Sequence, residues 1–307
     1  MEIRTVAVFG AGAVGAYVIQ GLYDKLGEDL MVIASGSRKD RLEKEGLMIN
    51  GRQYALHVRE PEEAKGVDLV IVCLKYNALA PSLEEIAALV DAHTLVISLM
   101  NGVDSEEVIG ERIGMDHVVH AVIKIASHRK QEGIFFELPF GPMGITIGEP
   151  GIRAEDSEKV RAILEVFSGT NLCCHGSDAI LEAIWEKFAL NVSRNIPQAI
   201  LGIGVGCYTD SEYCGMLAER LEDEVYAVAK ARGIHPSRNR KLAGQAKAAR
   251  YSTLQDLDAG RPTEVDMFCG AMVRMGKALG VPTPYCECTG LLVQALEEKN
   301  QGKFNYS

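Results

Sequence analysis

Apolar positions along this chain follow two regimes. As far as Gly176 they come in short unbroken runs: Thr5 to Phe9, Leu30 to Ala34, Val67 to Leu74 and Thr94 to Leu99. Runs of this length that stay apolar throughout predict strands of a parallel sheet covered on both faces. Between them the pattern predicts helices from Gly15 through Leu22, from Asn77 to Val90 and from Ser105 to Ile113, and Asn50-Gly51 predicts a hairpin turn inside Leu47 to Val58. Later pieces of strand character, Ile134 to Glu137 and Gly144 to Gly148, extend the same sheet in this reading. An amphipathic helix, Glu155 to Phe167, and a last strand, Leu172 to His175, complete the first half.

Beyond Gly176 the apolar spacing changes to three and four. Ser177 and Asp178 are good N-cap residues, and Ile180, Leu181, Ile184, Trp185, Phe188 and Val192 then define the buried face of one long helix, Ser177 to Asn195. Residues four apart share a side of a helix, so Lys187, Asn191 and Asn195 form a second, polar stripe along it. An ordinary wet face favours Glu, Lys, Arg and Gln. Two Asn, poor formers of helix interiors, need another reason. Helices follow at Ser211 to Arg232, Asn239 to Ala249, Glu264 to Leu279 and Pro284 to Lys299. The expected architecture is an α/β domain with a parallel sheet, residues 1–176, followed by an all-α domain, residues 177–307.

Gly10-Ala11-Gly12-Ala13-Val14-Gly15 follows the first strand directly and opens the first helix. A lone G-x-G-x-x-G is weak evidence, but in this position it is the dinucleotide fingerprint. Gly10 permits the tight turn, Gly12 lets a pyrophosphate approach the backbone, and Gly15 lets the helix pack on the strand with its N-terminus facing the anion. An NAD site calls for Asp or Glu after the second strand; this chain has Ser35-Gly36-Ser37-Arg38-Lys39, which suits the 2′-phosphate of NADP(H). Lys75 and Asn101 each follow a central strand, at the sheet edge where ligands bind. Lys75 is either a cofactor or substrate contact or a surface lysine, and Asn101 either offers its amide to a ligand or simply turns the chain with Gly102. Pro262-Thr263-Glu264, alone, is an ordinary helix start.

Composition narrows the partners. At 307 residues, 47% of them hydrophobic, the chain has ample core for two domains, and a formal charge of -10 argues against a nucleic-acid grip. The basic stretch from Arg232 to Arg250 fits a solvated helical surface. No secretory signal fits the first residues and no apolar run reaches membrane-spanning length. The eight Cys show no C-x-x-C and no zinc-type spacing, so no metal is expected and a cytoplasmic, thiol-reduced protein acting on a small molecule is.

Together the GAGAVG of residues 10–15, Leu74-Lys75, Asn101-Gly102, the K-x-x-x-N-x-x-x-N of Lys187 to Asn195 and the run from Ser252 to Asp266 with its Thr263-Glu264-Val265-Asp266 resemble the ketopantoate reductase family (2-dehydropantoate 2-reductases). The resemblance spans nearly the whole chain. It implies a Rossmann-type N-terminal domain, a helical domain like the C-terminal domain of 6-phosphogluconate dehydrogenase, and an active site in the cleft. It further implies Lys187 as general acid, Glu264 beside that lysine and the nicotinamide, Asn191, Asn195 and Ser252 as substrate-binding, and Lys75 and Asn101 as cofactor or substrate contacts. The activity implied is NADPH-dependent reduction of 2-dehydropantoate to pantoate. The chain departs from the family at two places. Ser35 stands where the family usually has Arg, which either moves the 2′-phosphate contact to Arg38 or weakens it; and Gly202 to Gly206 stands where the family tends to have another substrate-binding Asn. A paralogue reducing a different branched 2-oxo acid, with either NADPH or NADH, is the next reading. A non-catalytic NADP(H) sensor would have no need of both Lys187 and Glu264. The apolar helices of the second half can pair across a homodimer.

Overall fold

Val6–Phe9 forms strand β1 and is buried at every position in the computed structural model, which describes residues 1–130, 132–136, 143–238 and 246–306. Val6 and Val8 enter one apolar layer, Ala7 and Phe9 another, the period-two alternation of a strand covered on both sides. The chain continues through α1 (Ala13–Leu26), β2 (Leu30–Ile33), α2 (Gly36–Glu45), β3 (Leu47–Ile49), β4 (Arg52–Tyr54), β5 (His57–Arg59), β6 (Leu69–Val72) and α3 (Leu83–Leu89). There follow β7 (Leu95–Ser98), α4 (Ser105–Ile113), β8 (Val118–Lys124), β9 (Ser127–Lys130), β10 (Gly133–Phe136), β11 (Gly144–Gly148), α5 (Glu158–Phe167) and β12 (Cys174–Gly176).

The main sheet runs β12-β11-β8-β7-β6-β1-β2-β5. It is parallel from β5 to β8; β11 pairs antiparallel with β8, and β12 parallel with β11. Residues of α1 and α5 cover the Val6–Val8 face, and those of α3 and α4 cover the other. The predicted α/β half is therefore present, as a mixed sheet. Gly144–Gly148 extends it as expected, but Gly133–Phe136 does not: it joins a second, four-stranded sheet, β4-β3-β10-β9. The cause is Asn50. Its left-handed φ of 48°, with Gly51 at 80°, makes the predicted hairpin turn. Its amide then accepts from Phe136 N at 2.9 Å and donates to Phe136 O at 3.0 Å, which holds β10 beside β3. The expected helix Asn77 to Val90 is reduced to α3, preceded by 3-10 turns at Tyr76–Ala78 and Ala80–Ser82. Pro81 has no N–H for a ladder and disfavours helical backbone before it.

The chain divides into two compact units, Met1–Ile180 and Leu181–Ser307. The described elements after Gly176 are all helical: α6 (Ile180–Leu190), a π turn at Asn191–Asn195, α7 (Ile196–Leu201), α8 (Cys207–Asp210), α9 (Glu212–Ala231), α10 (Ser252–Asp258), a second π turn at Asp266–Gly270, α11 (Ala271–Leu279) and α12 (Pro284–Asn300). Trp185 and Phe188 stack edge to face at 5.8 Å, and Phe188 meets Phe268 at 6.2 Å, so the rings join α6 to the second π turn. Glu224, buried on α9, accepts from Tyr285 N at 2.7 Å and Cys286 N at 2.8 Å, placing a carboxylate at the N-terminus of α12. The helix expected from Asn239 to Ala249 lies largely outside the described residues. Among the described residues no helix is long and apolar enough to cross a membrane.

Candidate functional site

In the first unit the candidate residues gather at one sheet edge. β2, β1, β6 and β7 are adjacent and parallel, so the segments following them, which carry Ser35 and Arg38, Gly10 to Gly15, Lys75 and Asn101, leave at the same end. The connection from β5 to β6 crosses from one side of β1 to the other, which puts the strand-order reversal between β1 and β6, at Gly10 and Lys75.

Local chemistry at this edge fits a dinucleotide. Gly10 has φ of 112°, and a Cβ there would lie 2.6 Å from the Cys73 carbonyl oxygen; a Cβ on Gly15 would lie 1.9 Å from the Gly10 carbonyl oxygen. Both glycines are thus demanded by close backbone approach. A Cβ on Gly12 would meet nothing within 4 Å, so the space over that peptide is open. Helix α1 starts there with no capping side chain and no acidic residue in its first turn, which leaves its positive end to an anion. Ala13 and Val14 are half-buried at that start, with Ala11 buried before them.

Ser35 is the N-cap of α2, again without a side-chain cap or an acidic first turn. Of the two cations beside it, Lys39 is taken up by Glu63 at 2.9 Å and Glu60 at 3.7 Å. Arg38 is exposed. Lys75 is exposed and Asn101 half-buried. The loops that carry them are linked: Tyr76 Oη donates to Asp104 Oδ2 at 2.7 Å, tying the loop after β6 to the loop after β7.

Beneath the Asn101 loop lies a polar network that the sequence did not announce. Ser98 and Ser105 hydroxyls are 2.8 Å apart, Ser105 Oγ donates to Glu106 Oε2 at 2.8 Å, and Ala121 N donates to Glu106 Oε1 at 3.3 Å. Burial pushes the Glu106 carboxyl up to about 7, against the lowering effect of these bonds.

In the second unit the expected helix Ser177 to Asn195 differs at both ends. Its first turn begins at Ile180; ahead of it Asp178 accepts from Ala154 N at 2.7 Å and Ser177 Oγ from Ala179 N at 3.1 Å. At the other end the helix does not stop but widens into the π turn and runs on to Leu201. The cause is Tyr208. Arg194 O and Gln198 N are four apart and would bond each other in an α-helix. The Tyr208 hydroxyl sits between them, donating to Arg194 O and accepting from Gln198 N, the latter at 3.1 Å. Pro197 adds to this, since it has no N–H and its ring would meet the Ser193 carbonyl of a regular helix.

The π turn changes what the Lys187 stripe means. In an α-helix residue i+4 overshoots a full turn by about 40°, whereas in a wider i→i+5 turn it falls short. The offsets oppose, so Asn195 returns toward the side of Lys187 and Asn191 stands off it. Lys187 and Asn191 are half-buried and Asn195 is buried. Asn195 Nδ2 donates to Ser252 Oγ at 3.5 Å, joining the stripe to the start of α10. Glu264 is half-buried just ahead of the second π turn, where Thr263 Oγ1 accepts from Val265 N at 3.2 Å.

Gln198 is a residue the sequence reading missed, and its part is to position a segment. It is wholly buried; its Nε2 donates to Ala249 O at 3.0 Å and its Oε1 accepts from Tyr251 N at 2.6 Å. It thereby fixes the segment that delivers Ser252 to Asn195. A buried amide inside Pro197 to Leu201 was the available signal. On the other side of that segment, Val205 N bonds Ala249 O and Gly206 N bonds Lys247 O, both at 2.9 Å. A Cβ on Gly204 would lie 2.3 Å from Lys247 O, which is why the Gly202 to Gly206 loop carries no side chain there.

A hollow of about 670 Å³ lies along α5 and the approach to β12, lined from Arg161 to His175. None of the candidate residues lines it, so volume is no guide to the site here. Among the described residues no group of three or more His, Cys, Asp or Glu could hold a metal ion.

Comparison with known proteins agrees over both units. Residues 6–150 match the family model for ketopantoate reductase PanE/ApbA, and residues 179–297 match that for its C-terminal region. A 2-dehydropantoate 2-reductase of Mesorhizobium japonicum is 28% identical over 320 residues, covering 95% of this chain and 97% of that protein. Among solved structures, a PanE/ApbA family ketopantoate reductase from Ralstonia eutropha superposes with a TM-score of 0.82 at 27% identity, covering 97% of this chain and 99% of that one. A D-mandelate dehydrogenase, solved with NADH and anilino(oxo)acetate, has the same fold, with a TM-score of 0.82 at 23% identity and the same coverage. This chain belongs to the ketopantoate reductase family.

Proposed function

We propose that the chain is an NADPH-dependent reductase of 2-oxo acids, and that 2-dehydropantoate, yielding pantoate, is its substrate. The observation that carries the reading is the meeting of Asn195 with Ser252 on the helix that bears Lys187, in a chain of this family. A bound reduced nicotinamide supplies a hydride to the ketone carbon.

Reduction leaves negative charge on the carbonyl oxygen, and Lys187 answers it with both a proton and a positive charge. Glu264 orients that ammonium. Asn191, Asn195 and Ser252 offer neutral donors to the substrate. In the first unit, residues Gly10 to Gly15 receive the pyrophosphate, while Ser35 and Arg38 receive the 2′-phosphate. Lys75 and Asn101 contact cofactor or substrate. The NADP preference is supported by the absence of a carboxylate after β2 and is moderated by the engagement of Lys39 with Glu63.

A second reading, an NADH-dependent reductase of another 2-oxo acid, is favoured by Ser35 and by the NADH-bound D-mandelate dehydrogenase of the same fold. Oxidation of NADPH, and separately of NADH, by the purified protein with 2-dehydropantoate and a panel of other 2-oxo acids tests both. Faster turnover with NADPH and 2-dehydropantoate is expected. A higher kcat/KM with NADH and a different acid selects the second reading, and no turnover with any of them sinks both.

A further inference from the structure

Arg194 lies inside the first π turn, between Asn191 and Asn195. In the same unit Lys247 pairs with Asp210, Arg250 with Asp258, Arg261 with Asp256 and Arg274 with Asp266. Among the described residues no carboxylate pairs with Arg194. Its guanidinium lies over the Tyr208 ring, with Cζ 4.8 Å from the centroid, and its Nε is buried with no hydrogen-bond partner. Stacking fixes the plane of the fork but uses none of its donors.

The surroundings are those of an anion site. Arg194 precedes Asn195, and Asn195 meets Ser252. Tyr251, which precedes Ser252, feels the Arg194 charge opposing the effect of burial on its phenol. Residues 194–195 and 251–252 are thus neighbouring segments, joined at Asn195 and Ser252 and by the Arg194 charge acting on Tyr251. Gln198 fixes the second segment and the Tyr208 hydroxyl fixes the first. A cation taken partly out of water without a partner is costly, and a planar fork held by stacking is pre-organised for a carboxylate.

We propose that Arg194 is a substrate-binding residue that takes a carboxylate of the 2-oxo acid; the inference rests on the reductase reading and deepens it. The carboxylate is either the one beside the ketone or a second one at the far end of a dicarboxylic substrate. Arg194→Gln and Arg194→Lys are compared with the wild type on 2-oxo monocarboxylates (2-dehydropantoate, 2-oxoisovalerate) and on a 2-oxo dicarboxylate (2-oxoglutarate). In R194Q, KM rises about ten- to hundredfold and by more than kcat falls, NADPH binding is kept, and R194K recovers part of the loss. An equal rise across the panel assigns the carboxylate beside the ketone; a rise confined to the dicarboxylate assigns the far one. Unchanged KM throughout, with only a lower melting temperature, overturns the proposal and leaves Arg194 as packing for Tyr208. Should R194Q fail to fold, R194K carries the same comparison with a smaller rise.

If the wild type reduces no 2-oxo acid, calorimetric titration with oxamate, a 2-oxo acid mimic, separates the two failures. Binding by the wild type that R194Q loses keeps the carboxylate role and sinks the reductase. Equal binding by both, or by neither, overturns the role of Arg194.

Discussion

Replacing Tyr208 with Phe removes one oxygen and two hydrogen bonds. The ring and its stacking under Arg194 remain, but Arg194 O loses its donor and Gln198 N its acceptor. Gln198 is wholly buried and Tyr208 nearly so, so water does not readily replace the hydroxyl. A buried backbone group left unpaired costs about 1–3 kcal/mol. If the turn stays open the variant loses about 2–6 kcal/mol in all. If instead the ladder closes, Arg194 O and Gln198 N bond directly, most of that cost is recovered, and Gln198 swings away from Ala249 and Tyr251. The first outcome lowers stability with KM little changed; the second keeps stability and raises KM for the 2-oxo acid severalfold. Urea unfolding followed by fluorescence reads the second unit through Trp185, the chain's one tryptophan, which is buried there, and steady-state kinetics reads the site. A Y208F protein within about 0.5 kcal/mol of wild type, with wild-type KM, would refute the inserted-hydroxyl account.

Three other outcomes follow from the same geometry. Burial raises the Glu106 carboxyl from its ordinary 4.5 to about 7, so between those pH values the folded state holds a proton that the unfolded state has lost. Stability therefore falls as pH rises through that window, by up to about 3 kcal/mol; Glu106→Gln lacks this slope, and parallel pH–stability curves for the two proteins would sink the assignment. Lys187→Ala should lower kcat by a factor of about 10²–10⁴ while leaving NADPH affinity near wild type, and near-normal turnover would exclude Lys187 as proton donor. Gly204→Ala places a methyl 2.3 Å from Lys247 O; it should cost about 1–3 kcal/mol and raise KM by displacing the segment that carries Ser252, so an unchanged melting temperature would show that the loop is not held as described.

What was legible in the sequence was what neighbouring residues decide. The run from Thr5 through the GAGAVG turn to Leu22 announces strand, turn and helix because each is written locally, and Asn50-Gly51 names its own turn. Pro81 was equally visible and shortens the helix that apolar spacing alone extended to residues 77–90. The strand at Gly133–Phe136 was legible as a strand, but its partner was not, since the deciding group is the side chain of Asn50 far upstream. The same holds for the candidate site. Spacing grouped Lys187, Asn191 and Asn195, yet the widened turn that sets their facing depends on a hydroxyl from Tyr208, and the contact with Ser252 depends on Gln198 reading backbone atoms that lie some fifty residues later.

The π turn at Asn191–Asn195 also bears on how this helix can change in length. A π turn holds one residue more than the α-helical ladder would take up over the same hydrogen-bonded span. Deleting one residue from it would let the ladder close with everything beyond in nearly its present orientation, so Gln198 would still face Ala249 and Tyr251. An insertion has no such slack and would turn everything beyond it by about 100°, taking Gln198 away from both. The helix can thus shorten by one residue at this turn without resetting its far end, whereas it cannot lengthen there on the same terms.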